Sequence, residues 1–294
     1  MTMNSGKKTF TRFVLAIIVA AVTTQCGKDD MPKYQALGDL RILTIVVDKP
    51  EANPGDTVTF TPVLSDLNGG GRAINYTVQA CVDPGIGVGA DPVCKSTDPA
   101  YSQATGTVTI PAGVSLTYTG PVPSFSLTMP DAVTMLAGRS PVDRYNGVIY
   151  LVQYNISIPN GPAINSFLRV FVSDPTKLQK NQNPTIASVD LNDSPMPGSI
   201  TMPTSPSNFR VTTPLISLET YSVMQYDGSF LTRTEEMMNT WFISDGSTDY
   251  SRTIGNAENL WTPPGSKPLG RGMVLLVVTR DGRGGAAFQK IEMN

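Results

Sequence analysis

Histidine is absent from all 294 residues. Without an imidazole, Ser-His-Asp and Cys-His nucleophilic catalysis, histidine-ligated metal centres and histidine pH switches are excluded. Chemistry run by a carboxylate pair stays open, but the range is narrow, and the expectation is a chain that is not an enzyme and needs no cofactor. Long apolar runs are scarce as well. The one at Phe13–Val22 is about 10 residues, too short at about 1.5 Å per helical residue to span a hydrocarbon core. Positive charge is also in short supply, with 22 Lys and Arg against 24 Asp and Glu. Removing residues 1–25 takes away Lys7, Lys8 and Arg12 and no acid, so the net charge of −2 becomes −5. That argues against a nucleic-acid partner, which needs a basic face.

What the N-terminus does contain is the layout of an export signal: Lys7, Lys8 and Arg12, then the apolar run, then Thr23-Thr24-Gln25-Cys26. Cysteine is sparse, at three. Cys81 and Cys94 bracket a Pro- and Gly-rich loop, and a disulfide between them would contribute on the order of 3 kcal/mol by closing it. Such a bond fits an oxidising compartment. With no histidine and no C-x-x-C spacing, a metal pair or redox dithiol is the weaker reading. Cys26 is left over. The segment Thr23-Thr24-Gln25-Cys26-Gly27 resembles the lipobox of bacterial lipoproteins, with Gln25 and Thr23 in place of that motif's small residue and Leu. The resemblance implies cleavage before Cys26, acylation there, and a membrane partner through the lipid anchor. An ordinary cleaved signal leaving a free Cys26 is the alternative. Lys28, where an aspartate would imply inner-membrane retention, favours the outer membrane. Residues 26–38 then read as a tether.

The remainder, roughly 255 residues, is enough for two domains of ordinary size. Gly and Pro number 26 and 24, and β-branched segments alternate with turns, which predicts many short strands. Leu40–Val47 reads as a strand, Pro50 through Asp56 as a turn, and Thr57–Leu64 as an alternating strand with one face on a core. Pro-x-x-x-Pro-Gly-Asp between two such strands resembles the opening of bacterial immunoglobulin-like domains. Further strands are expected at Ile74–Cys81, Thr107–Ile110, Ser124–Met129, Val148–Ile158 and Phe167–Val172, with a short helix or turn within 131–146.

The polar, proline-bounded stretch Ser173–Pro184 reads as a solvated linker. Beyond it strands are expected at Thr185–Val189, Phe209–Leu218, Tyr221–Val223, Met237–Ile243, Arg271–Thr279 and Gly285–Ile291. The last two form a hairpin around Asp281-Gly282-Arg283-Gly284-Gly285. This C-terminal part resembles the polycystic-kidney-disease-type and related immunoglobulin-like modules of bacterial surface proteins, and in that comparison Trp241 is the core tryptophan of the third strand. The expected fold is all-β: a signal peptide (1–25), a lipidated tether (26–38), and two tandem immunoglobulin-like antiparallel β-sandwiches at 39–175 and 183–294.

Three kinds of site were weighed. Calcium between domains would draw on Asp174, Asn181, Asn183, Asp190, Asn192 and Asp193; a solvated linker is the preferred reading, and no metal site is expected. Glu235-Glu236 are adjacent and would point to opposite faces of a strand, so they do not form a glycosidase pair. Glycine clusters at Gly69–Gly71 and Gly282–Gly285 lack the Lys-Ser/Thr of a phosphate loop and read as turns. Among aromatics, Tyr76, Tyr101, Tyr118, Tyr150, Tyr154 and Tyr250 are available for a ligand platform. Trp261, ahead of Thr262-Pro263-Pro264, is the best single candidate for a ligand contact, against a reading in which it packs on a sandwich edge. The expectation is a non-catalytic binding, adhesion or spacer module of the cell envelope with a protein or glycan partner. The alternative is a carbohydrate-active enzyme or carbohydrate-binding protein using carboxylates and aromatics.

Overall fold

A computed structural model describes residues 34–67, 69, 71–85, 92–111, 118–159, 161, 163–266, 268 and 272–294, and Gln35–Asn294 form one compact unit. The chain is all-β. Its strands are β1 (Arg41–Val47), β2 (Glu51–Ala52), β3 (Thr57–Asp66), β4 (Ala73–Val82), β5 (Ser102–Thr109), β6 (Tyr118–Pro121), β7 (Phe125–Thr128), β8 (Val148–Ser157) and β9 (Ala163–Val172) in the first half. In the second half they are β10 (Ser188–Leu191), β11 (Ser194–Pro195), β12 (Ser199–Ile200), β13 (Ser207–Thr212), β14 (Thr220–Met224), β15 (Phe230–Thr234), β16 (Met238–Ile243), β17 (Ser247–Thr248), β18 (Arg252–Ile254), β19 (Asn259–Thr262), β20 (Met273–Arg280) and β21 (Ala286–Met293).

The first sandwich packs β1, β3, β6 and β7 against a sheet ordered β2-β9-β8-β4-β5. The second packs β11-β10-β13-β19-β17 against β12-β21-β20-β16-β18. In each half the opening segment divides between the two sheets. Its second part pairs in parallel with the final strand, β2 with β9 and β12 with β21. Apart from these two edge pairs the ladders between the named strands are antiparallel, as expected from sequence. In each half a proline marks the crossing: Pro50 lies between β1 and β2, and in the second half, where β10 and β11 first pair as a hairpin, Pro197 lies between β11 and β12. A proline lacks the N–H a continuous ladder needs, so the chain leaves one sheet and joins the other.

Alternation builds the cores. On β3, Val58 and Phe60 are buried between the exposed Thr57 and the half-buried Thr59 and Thr61, and the Phe60 ring stacks on Phe125 with centroids 5.0 Å apart. Tyr150 and Tyr154 on β8 are core residues; the Tyr150 hydroxyl donates to the carbonyl of Ala100 at 2.9 Å. Burial pushes both phenols up, Tyr150 to about 12. In the second sandwich Phe209 stacks on both Trp241 and Trp261, at 6.3 and 5.6 Å. Trp241, on the third long strand of that sandwich, donates from Nε1 to Thr253 Oγ1 at 3.0 Å.

Several elements depart from the sequence expectation. The region 131–146 holds two short helices, Ala132–Leu136 and Pro141–Asn146, capped by Asp131 and Ser140. Phe209–Leu218 is a strand only to Thr212, after which Pro214 leads into the 3-10 turn Leu215–Ser217. Strand β19 lies in what reads as a Pro-rich connection. Its four residues alternate buried and exposed, a pattern too short to separate from the prolines that follow. At β10–β11, Asn192 and Asp193 both take positive φ, 46° and 65°, the geometry of a two-residue primed hairpin turn.

The two sandwiches share a third apolar cluster of Leu37, Leu43, Val63, Leu67, Phe242, Leu276 and Val278. Strand β20 supplies both faces: Met273, Leu275 and Val277 point into its own core, and Leu276 and Val278 into the shared cluster. On β1 the ladder is irregular between Ile42 and Thr44; at this bulge Leu43 turns toward the shared cluster while Ile45 and Val47 stay in the first core.

Candidate functional site

Several residues expected to form a solvated linker are instead buried and bonded to both halves of the molecule. Lys177 and Asn181 are buried, and they meet Glu51 of β2 and the turn between β20 and β21. Lys177 Nζ donates to Glu51 Oε1 at 2.6 Å, and the Asn181 amide donates to Glu51 Oε2 at 3.0 Å. Asn181 Nδ2 donates to Asp281 Oδ2 at 2.9 Å. The Arg283 guanidinium spans the junction, reaching Glu51 Oε2 at 3.4 Å, Glu219 Oε2 at 3.3 Å and Glu235 Oε1 at 2.8 Å, and it sits 4.0 Å over the ring of Tyr221. Asp281 shapes the turn from within, since its Oδ1 accepts from the amides of Arg283 at 2.7 Å and Gly285 at 3.0 Å. A Cβ at Gly285 would lie 2.1 Å from Asp281 Oδ2, so the close approach requires glycine there.

The charge balance in this cluster is unequal. Burial pushes the Glu235 carboxyl up to about 7, with the Asp281 and Glu219 charges adding to the rise and Arg283 opposing it. Burial likewise raises Glu219 and Asp281. It lowers nearby Lys180, whose Nζ donates to Ser173 Oγ at 2.7 Å. More carboxylates are gathered than the cations beside them neutralise. Calcium would need these oxygens, but Lys177 and Arg283 already occupy the positive positions. The other residues weighed for calcium are dispersed. Asp174 is held below the usual carboxylate range by hydrogen bonds from Thr176 and by Arg144. Burial pushes Asp190 up, and bonds from Ser188, Thr212 and Arg210 outweigh it to leave a net lowering. Asn183 bonds the Val47 carbonyl and the Ala286 amide, Asn192 accepts from the amide of Asn208, and Asp193 pairs with Arg210. Among the described residues no group of three or more acids and cysteines has metal-site geometry.

Above the junction lies the hairpin β14–β15. Asn146 grips it with both ends of its carboxamide: Nδ2 donates to the Met224 carbonyl and Oδ1 accepts from the Met224 amide, each at 2.9 Å. Tyr145 meets Phe230 edge to face at 5.0 Å. Between hairpin and first sandwich is a cavity of about 160 Å³. The outer side of the hairpin is open, with Tyr226 at its tip 88% exposed and Phe230 and Leu231 exposed on β15.

Of the sequence candidates, Cys81 and Cys94 are joined in a disulfide with Cα atoms 5.6 Å apart, packed on Leu151 with Tyr101 against them. A structural disulfide belongs to an oxidising, extracytoplasmic location. Cys26, the signal segment 1–25 and most of the tether lie outside the described residues. Trp261 is corrected as a ligand contact: it is 0% exposed, its Nε1 donates to the Asp245 carbonyl at 3.3 Å, and β19 turns it into the core. Tyr150 and Tyr154 are likewise core residues and Tyr76 is half-buried, whereas Tyr250 is exposed. Glu235 is buried and Glu236 exposed, in the segment between β15 and β16. Among the described residues no helix is long and apolar enough to cross a membrane. The junction was not foreseen from sequence; the one available signal was the unbroken apolar run of β20, which marks a strand covered on both faces.

No family model matches the chain, and no curated protein matches it in sequence. Solved structures with similarity include red sea bream transglutaminase, 10% identical with a TM-score of 0.27, covering 86% of this chain and 31% of that one. Another is Spo0M, the sporulation control protein from Bacillus subtilis, 11% identical with a TM-score of 0.27, covering 87% and 91%. The D0-D1 domain of intimin is 14% identical with a TM-score of 0.21, covering 86% and 98%. The chain spans about a third of the transglutaminase's length. No function or partner carries over at these scores.

Proposed function

We propose that this chain is a non-catalytic binding module of the bacterial cell envelope, lipid-anchored at Cys26, whose two sandwiches are locked together so that their outer surfaces are presented at fixed orientation. The observation that carries this reading is the junction. It gathers Glu235, one of the acids weighed for catalysis, with Glu51, Glu219 and Asp281, and each of the four is bonded to Arg283, Lys177, Asn181 or a backbone amide. They hold the two halves rather than facing a substrate. Exposed aromatic and apolar side chains on the hairpin favour a binding module over a spacer, which needs no such surface.

Because Gln35–Asn294 is one compact unit, residues 27–294 suffice for a test. This soluble form is expected to sediment with an envelope fraction of its own organism and to release no product from envelope glycans. Absence of co-sedimentation would favour the spacer, and measurable turnover would overturn the non-catalytic reading. Mass spectrometry of the mature N-terminus tests the anchor: acylated Cys26 is expected, and an unmodified terminus at another residue would refute it.

A further inference from the structure

Two rows on the solvent face of the sheet β2-β9-β8-β4-β5 carry neutral polar side chains and one aromatic. Register places Gln79, Gln153 and Phe167 side by side across β4, β8 and β9, and Thr77, Asn155 and Asn165 side by side in the next row. The rows continue onto β5 with amides and hydroxyls only. No acid or base enters these rows. Neighbouring strands are about 4.8 Å apart and alternate residues about 7 Å apart along each strand, which gives a grid of neutral donors and acceptors. The carboxamides of Asn155 and Asn165 make no hydrogen bond to the protein among the described residues.

The grid has a wall and a platform. The disulfide-closed loop is pinned to it through Gln153, whose Oε1 accepts from the Cys94 amide and whose Nε2 donates to the Pro92 carbonyl. With Pro92 and Val93 on one side and Phe167 on the other, a cleft of about 320 Å³ opens over the amides. Phe167 is 44% exposed and preset: the Arg169 guanidinium lies 5.3 Å from its ring centroid and is itself tied to Asp83 at 2.7 Å. Arg169 is thus consumed at the margin, and the cleft stays uncharged.

From this arrangement we infer that the face binds a neutral polysaccharide, with Phe167 stacked on the apolar C–H face of a sugar ring and Asn155 and Asn165 exchanging hydrogen bonds with its hydroxyls. A carboxamide offers a donor and an acceptor side by side, which matches paired hydroxyls, each both donor and acceptor. An aromatic ring at the rim of a few convergent polar groups supplies the apolar contact. Nucleic acids and acidic polymers find no cation in the cleft to neutralise them, and an apolar protein segment would leave the amides unpaired.

This inference rests on the binding-module reading. Residues 27–294 are to be applied to an array of neutral polysaccharides (dextran, mannan, xylan and β-glucan) with polygalacturonate as the acidic control. The expected result is binding to at least one neutral polysaccharide, insensitive to added salt, and weakened about tenfold or more by Phe167→Ala and by the pair Asn155→Ala and Asn165→Ala. These side chains face solvent, so the variants are expected to unfold at the wild-type midpoint. No neutral ligand, binding that the variants leave unchanged, or binding confined to polygalacturonate and erased by salt would overturn the inference. If an envelope fraction still retains the wild type and the variants equally, only the glycan face fails; if it retains neither, the binding-module reading fails with it.

Discussion

Glu235 is the side chain whose ionisation is most informative. Its carboxyl rises from an ordinary 4.5 to about 7, because burial penalises the charged form and Asp281 and Glu219 add like charge beyond what Arg283 offsets. Below about pH 4.5 the group is protonated in both folded and unfolded chains. Between that value and about pH 7 only the folded chain retains the proton, so stability falls as pH rises through this window. Glu235→Gln, which mimics the protonated form, is expected to match the wild type near pH 5 and to exceed its thermal midpoint near pH 8. A constant gap across that range would show that the shift is not native. Arg283 has the opposite role. Arg283→Ala leaves Glu51, Glu219 and Glu235 facing one another without the guanidinium, and is expected to cost about 3–5 kcal/mol in denaturant unfolding at neutral pH.

At the scale of elements, the hairpin β14–β15 is an excursion from the second sandwich that is held by the first. Its hold is concentrated at Asn146, which bonds both backbone groups of Met224. Asn146→Ala removes both bonds and leaves a donor and an acceptor to water, a local loss of about 1–3 kcal/mol. Amide exchange is expected to speed up at Met224 and its neighbours in β14 while β16, β20 and β21 keep their protection. Unchanged exchange in β14 would mean that Tyr145 and Arg283 suffice to hold the hairpin. Strand identity was legible wherever alternation ran long enough, as in β3, β4 and β8, and in the apolar run of β20. It was not legible in β2, β12 or β17, which are two residues each and exist because a neighbouring strand offers a free edge.

For the whole molecule, the shared cluster around Phe242, Leu276 and Val63 joins the two sandwiches within one compact body. Leu276→Ala opens a cavity there at a cost of about 2–5 kcal/mol. Both halves are expected to lose stability together. The two tryptophans, Trp241 and Trp261, both lie in the second sandwich, so their fluorescence reports that half alone, and amide exchange of β4 and β8 reports the other. A drop confined to the fluorescence would show that the halves unfold independently. The reason the sequence concealed this body is visible in Lys177, Asn181 and Asn183: polar residues between prolines read as solvated chain, and nothing in their order says that Glu51, some 130 positions earlier, and Asp281, 100 positions later, will enclose them.

The sequence by itself determined the all-β class, the closing hairpin with its Asp281–Gly285 turn and the pairing of Cys81 with Cys94. Each of these is written in a local period, a turn residue or a short loop. Only tertiary structure decided that the opening strands divide between sheets, that Trp261 faces inward, that the polar linker is a buried charged junction, and that scattered amides on β4, β8 and β9 form one neutral face. Each of those depends on which strands become neighbours. Pairing is set by the closure of long loops and the burial of both faces of β20, and those are properties of the assembled molecule rather than of any one segment.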